Sequence, residues 1–589
     1  MPEDKAAITT QNTIDQHILI KDLAVISDRQ TCALISKEGN IVWYCPERFD
    51  EPAILYSLVD DQSSGFWNIE IQGKVTLGRQ FRERSSVLNT YFSIEGKGLT
   101  VTDFMPLGLH WNGICRRFSK SPTTILNQIS IRPNYGLESE ELTIASPFSI
   151  YLQSTKLWLT CSHPMSVSDQ IISFSVLSGE EAWAALTDTK ELNLELLKEA
   201  EATTLNNWKK VASLVNYHGP FENQVRDSLR ALQQMVYQPT GGIIAAATTS
   251  LPEVIGGERN YDYRYVWMRD AALITSSLTQ LITTGELEEK FIGFIAGAME
   301  KNNEDHVSCF YGIEQQEIDH LEQLPLKGYK NSRPVQIGNG AADQFQLDAE
   351  GSILIACALI YRKFDHKPDW ETVNKIADYI CKNWERKDNG IWEEEQQQHY
   401  TTSKAFAARG LELIAPYQED KETAERWLYN AGLIREFIKE NCMTSSGAYA
   451  VYAGSESVDI SSALFVHFGF DKPDSDAMLA TVAALEKDYS KNNLYRRHLV
   501  EFDSSEEGAF LAGTCWMAHY YAIAGNLERS KTIIDKVLLT SNDLGYFSEE
   551  ADMETGEMLG NFPQTFVHSS FICAVNGYKQ ALLSIDTSI

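Results

Sequence analysis

The sequence predicts an N-terminal antiparallel β-sandwich joined through a helical linker to an (α/α)6 barrel, and three observations carry that prediction. Short β-like runs separated by polar turns fill the first third of the chain, and helical spacing takes over from Phe221. Beyond that point two kinds of helix alternate, one amphipathic and one apolar almost all round. The apolar kind recurs at intervals of roughly 50 to 75 residues, the scale of a helical hairpin with its loops. A chain of 589 residues is also too long for one ordinary core.

Residues 1–17 read as a polar tail. The stretch carries both charge signs and lacks the basic start and apolar core of a secretory signal, so a cytoplasmic location is expected. The sandwich is assigned to residues 18–190. Runs 32–36 and 41–45 flank Lys37-Glu-Gly-Asn40, and runs 88–93 and 99–104 flank Gly96-Lys-Gly98, each a hairpin signature. The linker, 191–218, is rich in Leu, Glu, Lys and Ala. The barrel is assigned to residues 219–589 and opens with an apolar stripe of Phe221, Val225, Leu229, Leu232 and Val236.

Amphipathic helices follow over 289–299, 370–385, 422–440, 477–489 and 527–539. The apolar helices begin near Trp267, Asp343, Tyr400, Asp459, Glu507 and Phe562, each behind a polar-aromatic cluster. Six inner helices, each partnered by an outer one, would bring those clusters to one rim. Periodicity alone leaves an irregular helical domain or a solenoid open.

Composition narrows the partners. A formal net charge of −30 repels phosphate backbones and anionic lipid, so no nucleic-acid or membrane partner is expected and neutral small molecules fit better. The longest apolar run, 353–361, is too short to span a bilayer. Ten scattered cysteines without a Cys-x-x-Cys pair read as reduced, buried thiols, and the dispersed histidines suggest no metal. Gly338-Asn-Gly340 lacks a preceding strand and a third glycine, and no phosphate-binding or hydrolase-elbow motif is present. No cofactor is expected.

Three clusters set charges beside aromatics. In Tyr261-Asp-Tyr-Arg-Tyr-Val-Trp-Met-Arg-Asp270, two acids and two arginines lie among four aromatic rings ahead of an apolar helix. Arg269 and Asp270 are either a structural ion pair or a fork for sugar hydroxyls. Gly390-Ile-Trp-Glu-Glu-Glu395 precedes His399-Tyr-Thr-Thr-Ser-Lys404. Acidic runs are usually solvated faces, yet Glu393 follows Trp392, and a carboxyl held against an indole suits a general acid. Ser548-Glu549-Glu550-Ala-Asp552 leads to Gly560-Asn-Phe-Pro-Gln564 and could supply the second carboxylate of a pair.

With these clusters in place, the chain resembles glycoside hydrolase family 15, the bacterial glucoamylase and trehalase-like proteins. The resemblance covers nearly the whole chain. It rests on Asp28-Arg-Gln-Thr-Cys-Ala-Leu34 and Val101-Thr-Asp-Phe-Met-Pro106 in the sandwich. In the barrel it rests on Thr248-Thr-Ser-Leu-Pro-Glu253, Trp267-Met-Arg-Asp270, Asp343-Gln-Phe-Gln-Leu-Asp348, Gly390-Ile-Trp-Glu393, Ser403-Lys404, Glu507-Gly-Ala-Phe510 and Gly560-Asn-Phe-Pro-Gln564. It implies an inverting, exo-acting, cofactor-free glycosidase with Glu393 as general acid and Glu549 as general base. It implies substrate contacts from Arg269, Asp270, Trp267, Tyr263, Trp392, Glu394, Lys404 and Arg496.

Thr402 and Ala408 stand where the family often has a tyrosine and a tryptophan, and a family tyrosine is missing near Glu350, which should alter the pocket beyond the first glucose. The leading expectation is an α-glucosidase acting on malto- or isomalto-oligosaccharides, with trehalose hydrolysis close behind. A non-catalytic glucan-binding protein on the same fold is the reading from another class. The sandwich is expected to cover the barrel rim or lend a loop to the pocket.

Overall fold

The computed structural model of the protein describes residues 18–61, 63–501 and 506–586, and the polar tail read over 1–17 lies outside them. Fifteen strands precede the first long helix among the described residues: β1 (Ala24–Ser27), β2 (Cys32–Ile35), β3 (Ile41–Tyr44), β4 (Phe66–Ile71), β5 (Lys74–Phe81), β6 (Leu88–Ile94), β7 (Lys97–Phe104), β8 (Gly113–Phe118), β9 (Ile125–Ser130), β10 (Leu142–Ser146), β11 (Ser149–Leu152), β12 (Leu157–Cys161), β13 (Ser166–Ser168), β14 (Ile171–Val176) and β15 (Ala182–Thr187). They form a seven-stranded sheet, β1-β2-β3-β4-β9-β14-β13, and an eight-stranded sheet, β10-β11-β12-β15-β8-β7-β6-β5.

Both predicted hairpins are present as antiparallel pairs, β2 with β3 and β6 with β7. Along β6, Leu88, Thr90, Phe92 and Ile94 are buried while the residues between them are half-exposed, the period-two pattern of a strand with one face on a core. Between the sheets, Arg116 of β8 lies 5.2 Å over the Trp67 ring of β4 and pairs with Asp103 at 2.6 Å.

The predicted linker is helix α1 (Leu194–Ala212), started by the Asn193 side chain, which accepts the Leu196 N–H at 3.0 Å. It is more than a tether. Leu197, Ala200 and Leu205 pack on Val87, Phe104 and Trp183 of the sandwich, and Glu201 receives both Arg82 and Arg117.

The barrel comprises α2 (Glu222–Gln234), α3 (Met268–Thr279), α4 (Glu286–Asn302), α5 (Leu347–Phe364), α6 (Trp370–Asn383), α7 (Thr401–Ile414), α8 (Lys421–Asn441), α9 (Leu464–His467), α10 (Asp476–Asp488), α11 (Leu511–Ile523), α12 (Leu527–Leu538) and α13 (Thr565–Asp586). A closed ring of contacts runs α3, α5, α7, α9 with its leading turn Ile460–Ala463, α11, α13 and back to α3. The even-numbered helices pack outside it. All twelve residues of α3 are buried, whereas α6 buries only Val373, Ile376, Ala377 and Ile380. A helix enclosed on every side has no use for a polar face, which is why the inner set is apolar all round.

The inner helices start close to the expected positions, and the fourth departs from the pattern by its brevity. It ends after about two turns at Phe468-Gly469, where Gly469 adopts a left-handed φ of +71° that continues no helix.

The domains meet through a buried ion pair. Arg264 holds Asp262 at 2.6 Å with both side chains fully buried, and its Nη1 donates to the Glu51 carbonyl of the sandwich at 2.8 Å. Removing one member of such a pair strands the other charge. Arg264→Met is therefore expected to lower stability by about 3–5 kcal/mol, read as a lower urea midpoint, with partial recovery in the Arg264→Met/Asp262→Asn double variant.

Candidate active site

The N-terminal ends of the inner helices surround a cavity of about 860 Å³. Its wall draws on 253–270, 321–344, 391–395, 497–501 and the segments around Phe510, Glu549 and Gln564. From Tyr261 the first of these is extended before it enters α3, so its side chains alternate. Asp262 and Arg264 turn toward the sandwich. Tyr261 and Tyr263 line the cavity, stacked at 6.2 Å and 10°, and Trp267 meets Tyr263 edge-on at 5.4 Å.

Glu393 sits at the tip of a loop that has to be forced into shape. Its φ is +61°, a left-handed conformation that costs a residue with a side chain roughly 1–2 kcal/mol. Four hydrogen bonds hold the turn. The Glu393 N–H donates to the Gly390 carbonyl at 3.2 Å and the Glu394 N–H to the Asn389 carbonyl at 3.0 Å. Gln344 Nε2 donates to the Glu393 carbonyl at 2.8 Å, and Asn389 Nδ2 to the Glu394 carbonyl at 2.7 Å. Such strain gathers at functional positions.

The Glu393 carboxylate accepts the Trp267 indole N–H at 2.6 Å and lies 3.6 Å from Arg269. Arg269 also pairs with Asp270 at 2.9 Å and donates to the Ile391 carbonyl at 2.7 Å, which ties the acid loop to α3. The indole against Glu393 is thus that of Trp267, not the adjacent Trp392. Trp392 turns its N–H to Asp459 at 2.8 Å and stacks over Trp516 at 6.2 Å. Burial raises the Glu393 pKa, Arg269 opposes it, Asp270 adds to it, the Trp267 N–H opposes it, and the net direction is up.

Glu549 accepts a hydrogen bond from the Tyr263 hydroxyl on Oε1 at 3.0 Å, while its buried Oε2 accepts no hydrogen bond from the protein. Gly560 leaves room for it: a Cβ there would lie 2.8 Å from that of Glu549, on a backbone at φ +74°. Behind Glu549, Arg497 reaches Glu253 at 2.6 Å, Glu507 at 3.3 Å and Glu550 at 3.5 Å, and Arg259 pairs with Glu253 and Glu507. Burial and then the Glu253 charge push the Glu549 pKa well up against the pull of Arg497. The neighbouring Glu550 is raised to about 7, chiefly by burial. The carboxylate oxygens of Glu253, Glu507 and Glu550 lie within 4.8 Å of one another, spacing that would suit a metal ion, but here the two guanidinium groups serve as the cation. Among the described residues no hydrogen bond or ion pair joins Glu393 to Glu549.

Eight of the ten sequence-derived site residues line this one cavity: Glu393, Glu549, Arg269, Asp270, Trp267, Tyr263, Trp392 and Glu394. Lys404 does not. It lies within α7, fully buried, donating to the Arg386 carbonyl at 2.7 Å and facing Asp388 at 3.5 Å. Asp388 accepts the Gly390 N–H at 2.9 Å, so Lys404 braces the acid loop from behind. Arg496 does not line the cavity either; its neighbour Arg497 does, because adjacent residues after the short strand Leu494–Tyr495 point to opposite sides.

Sequence reasoning missed Arg497, Arg259 and Glu507 as site residues, and Glu253 as more than a motif position. The signal was the Arg496-Arg497 doublet, which composition cannot orient. Thr402, Ala408 and Glu350 are buried and none lines the cavity, so their departure from the family pattern acts inside the barrel and not on the pocket wall. Among the described residues no sandwich side chain lines the cavity; that domain reaches the site from behind, through the Arg264–Asp262 pair and through Asn542 and Tyr546, which bond the Leu23 and Val25 carbonyls ahead of Glu549.

Residues 219–538 match the model for glycosyl hydrolases family 15, and residues 13–188 match that for a trehalase-like N-terminal domain. Trehalase 1 of Sulfolobus acidocaldarius is 30% identical over 95% of this chain and 99% of its own length. Trehalase of Mycobacterium tuberculosis is 29% identical over 97% and 91%. Glucoamylase-1 of Schizophyllum commune is 24% identical over 53% and 56%. A solved bacterial glucoamylase, complexed with acarbose, superposes with a TM-score of 0.72 over 96% of this chain and 94% of that one at 12% identity, a likeness of fold. Among the described residues no helix is long and apolar enough to cross a membrane.

Proposed function

Because the chain belongs to glycosyl hydrolases family 15, and so hydrolyses glycosidic bonds, we propose that its substrate is α,α-trehalose. The observation that carries this reading is similarity to trehalases through both domains, where the glucoamylase relative aligns with about half of the chain. It reverses the order expected from sequence, in which malto- or isomalto-oligosaccharides led. The cavity is compatible with two glucose rings. Arg269 and Asp270 form the hydroxyl fork beside Glu393, and Arg333, Gln336, Asn339 and Gln344 supply polar groups elsewhere on the wall for a second, fully hydroxylated ring.

In this reading Glu393 is the general acid and Glu549 the general base. The glycosidic C–O bond breaks with its electron pair going to the leaving oxygen, which takes the Glu393 proton. A water bonds to the anomeric carbon from the other face and gives its proton to Glu549, whose Oε2 has no protein donor to displace. One glucose leaves as the β-anomer, and the departing one keeps its α configuration. Arg269 and Asp270 pin the ring that is attacked.

Glu549 must be ionised to act, and the cluster behind it sets when that happens. Glu253, Glu507 and Glu550 share two arginines, and Glu549 feels the charge of Arg497 and of these acids, so a proton held in the cluster relieves the repulsion. Burial and the Glu253 charge raise both Glu549 and Glu550, so a proton taken up here belongs to the pair, and Glu549 serves as base in the state that leaves it ionised.

The test is a comparison of kcat/KM for trehalose, maltose, isomaltose and dextrin. Trehalose is expected to be fastest by an order of magnitude or more, about 1.4 kcal/mol in transition-state binding. Faster hydrolysis of maltose or dextrin would return the chain to the glucoamylase side of its family.

The pH profile tests the base. Activity falls as pH drops through the Glu549 pKa, and the Glu253 charge raises that pKa. Glu253→Gln removes the like charge, so the acid limb of kcat/KM is expected to move to lower pH. A limb that stays in place or moves up would take Glu253, or Glu549, out of this role.

A further inference from the structure

A second cluster of reactive side chains lies inside the barrel, well below the cavity. His519 is the ninth residue of α11 and Cys573 the ninth of α13, so each sits about 12 Å along its helix from the active-site rim. His467, the last residue of α9, completes the group. We propose that His467, His519 and Cys573 bind a soft divalent transition metal of the zinc class.

The geometry carries this. A tetrahedral zinc centre, with metal–sulfur near 2.3 Å and metal–nitrogen near 2.0–2.1 Å, sets sulfur and nitrogen ligands about 3.5 Å apart. Cys573 Sγ lies 3.5 Å from His467 Nε2 and 3.5 Å from His519 Nδ1. One ligand atom from each residue falls within 4.8 Å of the other two. A thiolate with two imidazoles is a donor set for zinc, cobalt or copper and a poor one for magnesium or calcium.

The surroundings are built for these groups. Gly577 lies one turn beyond Cys573 on α13, where a Cβ would come within 2.2 Å of the His519 ring. Glycine there lets the imidazole lie against the helix with Nδ1 toward the sulfur.

His519 also lines a cavity of about 350 Å³ with Gln280, Asn576, Gly577 and Gln580, which offers a path for the ion and space for a water as fourth ligand. On binding, Cys573 releases its proton to solvent, leaving a thiolate, two neutral imidazoles and a water around the dication. The site would clamp α9, α11 and α13 at the end of the barrel away from the rim.

Cobalt titration of the full-length protein, after removal of metals with a chelator, tests this without any use of catalysis. One equivalent of Co2+ should produce visible bands of tetrahedral intensity and a thiolate-to-cobalt charge-transfer band in the near ultraviolet, both erased by Zn2+. Cys573→Ser should abolish the charge-transfer band. His467→Gln, at the least buried of the three positions, should weaken Co2+ affinity about tenfold or more. The proposal is overturned if the folded wild-type protein takes up no stoichiometric Co2+ or Zn2+. It is equally overturned if uptake and spectrum are unchanged in both variants.

Discussion

Carboxylates can be buried in a cavity only where fixed positive charge shares it with them, and the rest of this site follows from how Arg269 and Arg497 meet that requirement. Arg269 gathers Asp270, Glu393 and, at 3.9 Å, Asp348. Arg497 gathers Glu253, Glu507 and Glu550 behind Glu549. Each arginine is also fastened to the fold, Arg269 by the Ile391 carbonyl and Arg497 by the faces of Phe510 and Trp392 at 5.0 and 5.5 Å. The two carboxyls proposed to react therefore differ in company: Glu393 has one arginine and an indole donor, whereas Glu549 has an arginine shared with other acids.

The ten residues from Tyr261 to Asp270 connect these parts. Tyr263 holds Glu549, Trp267 holds Glu393, and the rings of the two touch. On the other side of the same extended segment, Asp262 and Arg264 anchor to the sandwich, and the Gly338 N–H donates to Asp262 at 3.3 Å. The sandwich thus anchors the segment whose other face holds both carboxyls, while among the described residues none of its side chains lines the cavity. This gives the all-β domain a mechanical role in the site that its sequence, full of ordinary hairpins, does not announce.

Much of this was legible in the chain. Periodicity marked the six inner helices, because enclosure removes the polar face and leaves an apolar run behind each rim cluster. The acid loop and the Glu549 segment were found for the same reason: charges beside aromatics at helix starts. What stayed hidden depended on side-chain direction or long-range closure. Arg496 and Arg497 cannot be told apart without the twist of the chain entering them. Lys404 looked like a substrate contact because the depth of a residue along a helix is invisible when only its neighbours are read. The His467–His519–Cys573 group was hidden by distance, since the histidines stand 106 and 54 positions from the cysteine.

The central claim is that Glu393 and Glu549 act from opposite faces of one sugar, and the fate of the water oxygen tests it most directly. Trehalose would be hydrolysed in 18O-enriched water and the products followed by carbon NMR within the first minutes, before the anomers equilibrate. The account predicts equal amounts of α- and β-glucose, with the 18O-induced shift at C1 of the β-anomer alone. Label at C1 of the α-anomer would mean retention, and would contradict the assignment of Glu549 as a base acting through water.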